Sequence, residues 1–520
     1  MNAKQRKWIM TSARGRLRDT VYNAIHRVAA QHAVLRLDGE ANLFCDAPAE
    51  PTAFIQWVHQ SRRGLLAYAI EHGSSSIEDT SRDALSVFDE QASPVVSTQA
   101  VFDVLAADAE HDGYLTCLLQ RELLVHGGIF GDEEARAFAA AYFRQHGVPA
   151  TPMDVAAYRA GVDGLFLSFV SAVGSQHDVA SDGAVLLAPV GIDRALLDAA
   201  VGYGCVTDVV EELTGPVLAE WLGRDGDGAR AVVLPVVNPL TGQVLTQRRA
   251  RDLAGVVLRH NRDHPDRPVF VFSDVSGIES CHTEVIEFDT VPMGALTGVD
   301  VGDSSLGGMS AWTLDVVSPR MVLLTSRVAF AVTGNRWLRG AVNDWSITYG
   351  HANTCALDDL AAAAALCLTP RRWFDEANDH TANNLRLLRE AVVRFNSAEC
   401  GFEGLSIGSH VDGGWHTTVR FHQRLFPFSV DGSFDVFTSL LEYHCVVSDS
   451  MRVVLLPGEL FSWYYDPDAV EPHVVLRVNL SAPREAFQAF LWQLGQCSSE
   501  LWQRTWNACQ RSARVMAVGG

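Results

Sequence analysis

Four polar positions stand where a sheet would present them to a ligand. Asn238 ends the apolar run AVVLPVVN, Asp274 ends VFVFSD, Thr325, Ser326 and Arg327 follow MVLL, and Arg477 lies inside HVVLRVNL. In open parallel sheets, ligands bind beyond the carboxyl ends of the strands, so side chains there are candidates for chemistry. A carboxylate, an amide, a hydroxyl and a guanidinium together can hold a polar ring, a phosphate and a substrate carboxylate. Each residue also has an ordinary role. Asn-Pro opens a turn, an Asp at a strand end caps a helix, and an Arg on a strand pairs at the surface. Other clusters are weaker. GSHVDGGWH gathers His410, Asp412 and His416 without the spacing of metal ligands on a helix or hairpin, so no metal is expected. RDGDGAR (224–230) starts like a calcium loop but lacks its later acids and reads as a turn. Cys281-His282 has no third partner.

The strands that position these residues are short, β-branched and bounded by turn residues: 183–190, 229–237, 267–275 and 320–326. Their lack of alternation suits interior strands of a parallel sheet covered on both faces. Helical stretches lie between them, as in LTQRRARDLAGVVLRHNRDHP (245–265), so the series reads as βαβ units. Upstream, EEARAFAAAYFRQHG reads as a helix stopped by Gly147, and Thr151 with Pro152 reads as the start of another. GLFLSFVSAV (164–173) is apolar all round, as in a buried helix. Beyond about residue 370 the order becomes helix, strands, helix, with Trp492, Trp502 and Trp506 on a core-facing stripe. The organisation expected is an N-terminal segment (1–95), a large α/β domain (96–370) and a smaller C-terminal α+β domain (371–520).

Composition narrows the function. The 520 residues carry 41 Lys+Arg against 62 Asp+Glu, a net charge of −21. That balance argues against nucleic-acid and anionic-membrane partners. No apolar run reaches the length of a membrane-spanning helix, and the basic start MNAKQRKWIM lacks a secretory apolar region. Ten cysteines without a CxxC pair read as reduced thiols, hence a cytoplasmic protein. Lysine occurs only at Lys4 and Lys7, so chemistry needing a lysine amine in the folded core is closed to this chain.

The order of these segments resembles the fold-type-I pyridoxal-phosphate (PLP) enzymes, especially class I/II aminotransferases. VVNPLTGQVLT resembles the family loop whose Asn holds the cofactor's ring hydroxyl, at Asn238. VFVFSDVSG resembles the strand whose Asp pairs with the pyridine nitrogen, at Asp274. AYRAGVDGLFLSFVSAV resembles the glycine turn and helix that receive the phosphate, with Gly161, Val162 and Asp163 at the turn. LLTSRVAFAVTGNRWLRG resembles the segment holding a Ser, the Schiff-base lysine and a phosphate-binding Arg, which places Ser326, Arg327 and either Arg336 or Arg339. VVLLPGELF and HVVLRVNLSAP resemble the small domain's Pro-Gly turn and its strand with the substrate-carboxylate Arg, Arg477. The resemblance implies an aminotransferase-like large domain with a mostly parallel sheet, a homodimer and an amino-acid substrate.

The departures weigh as much. The family lysine falls on Arg327, and a guanidinium has no free amine lone pair, so it forms no covalent link to PLP. The turn APVGI lacks the ring-stacking aromatic, Gly277 stands where a ring-contacting Tyr is common, and 277–318 reads as an insertion. Three explanations stay open for Arg327: an engineered replacement that traps an adduct, a natural relative that holds PLP noncovalently or reuses the pocket, and a fold kept without catalysis. The expectation is a PLP-dependent, aminotransferase-like enzyme of specialised biosynthesis, with a cofactor-free enzyme or a binding subunit as alternatives. Arg327 and Asp274 would sit at the catalytic centre.

Overall fold

The computed structural model describes residues 35–36, 129–176, 184–224, 229–280, 290–319, 326–352, 354, 356–369, 371–397, 404–408, 411–422, 453–454, 456–462 and 473–496. The chain divides into two compact units: Pro94–Asn378 with Asp412–Gly414, and Met1–Ser93 with Asp379–Val411 and Trp415–Gly520.

The first unit is built on seven strands: β1 (Val155–Tyr158), β2 (Val185–Pro189), β3 (Val206–Val210), β4 (Arg230–Pro235), β5 (Val269–Asp274), β6 (Thr313–Val317) and β7 (Ala329–Val332). They lie in the order β1-β7-β6-β5-β4-β2-β3. Neighbours pair in parallel except that β7 runs antiparallel to both β1 and β6. Seven helices accompany the sheet: α1 (Glu133–Gln145), α2 (Gly161–Gly174), α3 (Arg194–Gly202), α4 (Gly215–Leu222), α5 (Gln247–Asp263), α6 (Arg336–Thr348) and α7 (Ala356–Leu368). Side-chain caps open several of them. Asp132 accepts from the backbone of Glu134 and Ala135, and Thr246 and Asn335 cap α5 and α6. Gly147, at φ +82°, follows α1 in a conformation that other residues rarely adopt.

Apolar strand faces explain the layering. Phe166 and Phe169 of α2 meet Phe272 of β5 at ring-centroid distances of 5.5 and 5.4 Å, in a cluster that also takes in α6. Leu218 and Trp221 of α4 with Leu253 and Val257 of α5 pack on Val232 and Val271. Ala139 and Phe143 of α1 pack with Ala362 and Ala363 of α7 on Val317 and Phe330. Strands fully covered by helices can be continuously apolar, as the sequence of β2, β4 and β5 is.

Three local expectations fail, and others fall outside the described residues. Thr151 and Pro152 do not open a helix; the Asp154 carboxylate accepts from the Thr151 backbone and hydroxyl, and this turn leads straight into β1. The strand between β5 and β7 is Thr313–Val317, inside the stretch read as an insertion. The expected strand 320–326 lies, but for Ser326, outside the described residues, and Ser326 is not in a strand. Trp492 is 67% exposed and is not a core residue, while Trp502 and Trp506 lie outside the described residues.

In the second unit β8 (Leu405–Ile407), β9 (His416–His422), β10 (Leu456–Pro457) and β11 (His473–Asn479) form an antiparallel sheet in the order β10-β11-β9-β8. Helix α8 (Arg371–Phe395) crosses from one unit into the other, and α9 (Arg484–Gln496) follows β11. Asn384 of α8 donates to the carbonyls of Leu480 and Ala482 at 2.8 and 3.1 Å, which ties α8 to the end of β11.

Candidate active site

The parallel strands deliver most of the sequence candidates to one edge. Val236 N–H donates to the Asp274 carbonyl and Val275 N–H to the Val316 carbonyl, each at 2.8 Å, so the ends of β4, β5 and β6 are tied side by side. At that edge Asp274 Oδ1 accepts from the Ser276 backbone at 3.0 Å and its hydroxyl at 2.6 Å. Ser276 Oγ accepts from Ser318 N–H at 2.9 Å, and the Ser318 hydroxyl donates to the Val328 carbonyl at 3.3 Å. Val328 N–H in turn donates to Ser326 Oγ at 3.2 Å. A continuous hydrogen-bonded chain therefore runs from Asp274 to Ser326 across the ends of β5, β6 and β7. Ser326 is buried and the adjoining Arg327 is exposed.

Asn238 works on the neighbouring turn. Its Oδ1 accepts from the backbones of Leu240 and Thr241 at 3.0 Å, and its Nδ2 donates to the Val190 carbonyl at 2.6 Å. The side chain lies against Gly191, where a Cβ would come within 2.1 Å of Oδ1 at a φ of +111°. Only glycine allows that approach.

On the other side, β1 ends at Tyr158 opposite Ala329, which brings the turn into α2 beside the residues entering β7. Gly161 opens α2 at φ +67°, no side chain caps the helix, and Asp163 sits in the first turn. Backbone N–H groups at such a terminus attract anions. Asp163 places a competing negative charge in the same turn. Gly161, Val162, Asp163, Asn238, Asp274, Ser326 and Arg327 thus share the carboxyl edge.

Arg336 does not join them. Strand β7 enters at the carboxyl edge and leaves at the amino edge, where Val332 pairs with Val155, the first residue of β1. Arg336 opens α6 beyond that edge and is exposed. Arg339, its alternative, donates to the Met153 carbonyl at 2.7 Å and pairs with Asp154 at 3.1 Å, so it belongs to the turn before β1. Motif order supplied this assignment, and the reversed direction of β7 overturns it. Arg477 lies on β11 of the second unit, buried, its guanidinium carbon 4.2 Å from the centre of the Phe461 ring.

One group near Asp274 has no counterpart in the sequence reading. The Tyr142 hydroxyl of α1 donates to Glu279, and His146 Nε2 lies 3.3 Å from the same carboxylate oxygen. Burial first, and then the charges of Glu279 and Asp274, push the Tyr142 phenol well above its ordinary value, so it stays protonated as the donor. Tyr142 and His146 stand four apart on one helix face, which is a legible signal, but Glu279 is supplied from far along the chain. Of the other candidates, His410, Cys281, His282, Lys4 and Lys7 lie outside the described residues, as does the middle of RDGDGAR. Among the described residues no cluster of His, Cys, Asp or Glu has the makings of a metal site, and no helix is long and apolar enough to cross a membrane.

Neither a protein-family model nor a curated protein matches the chain. Solved structures do. The aspartate aminotransferase from Rhizobium meliloti is similar over 78% of this chain and 88% of its own, at a TM-score of 0.57 and 15% identity. The aromatic aminotransferase from Pyrococcus horikoshii OT3 is similar over 80% and 94%, at 0.57 and 16%. The N-succinyldiaminopimelate aminotransferase from Mycobacterium tuberculosis is similar over 78% and 91%, at 0.56 and 16%. The chain has the aminotransferase fold. At such identity the likeness is one of fold alone, and function has to be argued from the site.

The donor set fits PLP held without a covalent bond. An aminotransferase-fold edge that offers a carboxylate, an amide, a serine, an exposed arginine and an uncapped helix N-terminus matches a protonated ring nitrogen, a ring hydroxyl and a phosphate. It does not fit the covalent link, because no described residue is a lysine.

Proposed function

We propose that the chain is an aminotransferase-like enzyme that holds PLP noncovalently and acts on an amino acid. The observation that carries this reading is the hydrogen-bonded chain from Asp274 to Ser326 beside Asn238 and the α2 terminus, all at one sheet edge. In it Asp274, held by Ser276, keeps the ring nitrogen protonated, and Asn238 meets the ring hydroxyl. Arg327 and the N–H groups of Gly161, Val162 and Asp163 take the phosphate. Arg477 orients the substrate carboxylate. When bound, PLP supplies an electron sink for charge developing at the substrate's α-carbon. With no lysine among the described residues to move the proton, we assign that duty to His146, whose Nε2 lies 3.3 Å from the Glu279 carboxylate that Tyr142 also meets. The family resemblance adds a homodimer and the cysteine usage a cytoplasmic location, which sedimentation and fractionation test.

The direct experiment is a PLP titration followed by absorbance. The wild-type chain should bind saturably, and Asp274→Ala should weaken binding about 10–100-fold through loss of a charge-assisted hydrogen bond. Equal binding by the variant rejects the role of Asp274. Arg327→Ala should weaken PLP binding in the same titration, and undiminished binding rejects the placement of Arg327 on the phosphate. A cofactor-free enzyme is the second reading, favoured by the way Asn238 and Asp274 both satisfy their own turns. Turnover that persists after exhaustive PLP removal would select it.

A further inference from the structure

A cavity of about 880 Å³ opens between α4 and α5, and none of the residues assigned to PLP lines it. Arg248, Arg251 and Arg259 do, and with Gly255 they follow one face of α5 at spacings of 3, 4 and 4 residues. Other arginines of this unit have acids beside them. Arg249 pairs with Glu212 at 2.9 Å, Arg262 with Asp263 at 2.8 Å and Arg339 with Asp154 at 3.1 Å. Among the described residues, no carboxylate comes within ion-pair distance of the three arginines in the cavity. Arg251 Nε is buried and meets no partner.

These charges are placed against the helix's own electrostatics. Arg248 stands in the first turn of α5 and Arg251 in the second, and the first turn holds no acid. A helix start is itself positive, so cations there are disfavoured unless an anion joins them. A chain with 62 Asp+Glu against 41 Lys+Arg does not leave guanidinium groups unpaired for want of acids. Gly255 draws the third charge in. A Cβ at Gly255 would lie 3.2 Å from both Nη1 and Nη2 of Arg259, so this guanidinium folds back over the missing side chain, one turn toward Arg251. The charges then fall within about 10 Å along the helix axis, against about 16 Å between the Arg248 and Arg259 backbones. Asp252 and Asp300 also line the cavity but are outnumbered. Asp300 is engaged in its own turn, where the Thr297 hydroxyl and backbone N–H donate to it at 2.7 and 2.8 Å.

We propose that this cavity binds a chain of phosphoryl groups, a di- or triphosphate, with Arg248, Arg251 and Arg259 spaced along it. One phosphate cannot span three guanidinium groups set over such a length, whereas linked phosphoryl groups can, each meeting a planar fork of N–H donors. Among the described residues no aromatic side chain lines the cavity to stack on a base, so recognition is of the phosphate chain and not of a nucleoside.

Calorimetric titration of the full chain, at fixed ionic strength and without divalent metal, compares tripolyphosphate, pyrophosphate, orthophosphate and ATP. Tripolyphosphate should bind about ten-fold more tightly than orthophosphate, on the scale of added charge-assisted hydrogen bonds, with pyrophosphate between them. ATP should bind no more tightly than tripolyphosphate. Arg251→Gln and Arg259→Gln should each weaken tripolyphosphate binding about ten-fold. Gly255→Ala, which favours the helix, should weaken it by displacing the Arg259 guanidinium while the ligand-free melting temperature holds or rises. Arg262→Gln removes the same charge from the same helix outside the cavity and should leave binding unchanged. PLP binding, followed by absorbance, should survive in Arg251→Gln. The proposal is overturned by an absence of tripolyphosphate binding, by an equal loss in Arg262→Gln or by tighter binding of ATP. Loss of PLP binding in Arg251→Gln overturns it too, since the cavity would then be no separate site.

Discussion

Asp315 offers a sharp test of how the large sheet is held together. It sits in the middle of β6, 1% exposed, with the Gly294 N–H donating to its Oδ1 at 3.3 Å. Burial pushes its carboxyl from the usual 3.8 up to about 7. A carboxyl raised in the folded state favours folding most when both states are protonated, below about pH 4. That advantage is lost as pH climbs through the folded value. The full gap is worth roughly 4 kcal/mol, of which roughly 2–3 kcal/mol falls between pH 5 and pH 8. Asp315→Asn keeps the shape and an oxygen for Gly294 but cannot ionise. Thermal melts of both proteins at pH 5, 6, 7 and 8 cancel every other titrating group, the raised Asp359 included. The variant should gain on the wild type with pH, by roughly 3–5 °C in melting temperature across the range. Parallel curves would mean that the Asp315 carboxyl is not buried as a neutral acid, and the placement of β6 would have to be revised.

Other expectations follow from the two sheet edges. Arg327→Ala should weaken PLP binding several-fold in the same absorbance titration, while Arg336→Ala and Arg339→Ala should not, because the latter pair lie at the amino edge. Gly191→Ala should destabilise severely or abolish soluble expression, since it combines a φ of +111° with a 2.1 Å approach to Asn238. Tyr142→Phe should cost about 1–3 kcal/mol in denaturant melts by stripping a hydrogen bond from Glu279.

Much of the sheet could be read from the chain because interior parallel strands advertise themselves. In β2, β4 and β5, continuous apolar runs end at a turn residue, and the residue at the end is the candidate. What hid β6 was Asp315. A strand interior with a carboxylate reads as a break, and the more apolar RMVLL nearby takes its place. The acid is tolerated because burial beneath the Met293–Ala295 turn pushes its carboxyl up to about 7, a tertiary circumstance that no local window contains. The Tyr142–Glu279–His146 group was hidden for a related reason, since its acid comes from a distant loop.

The misplacement of Arg336 points to something more general. Motif order fixes which segments follow which, and in a sheet of one direction that would fix the edge as well. A single reversed strand breaks the link. Because β7 is reversed, residues before it (Ser326 and Arg327) share an edge with Asp274, and residues after it are carried to the opposite edge. A phosphate-binding arginine for this edge must therefore precede β7 or follow one of the forward strands. Arg327 satisfies the first condition, and Arg159, exposed just past β1, satisfies the second. The double variant Arg159→Ala/Arg327→Ala should thus lose more PLP affinity than either single change. Additivity within about 0.5 kcal/mol would mean two independent contacts. A marked departure from it would mean that the two guanidinium groups share one anion, as the pairing of Tyr158 with Ala329 leads us to expect.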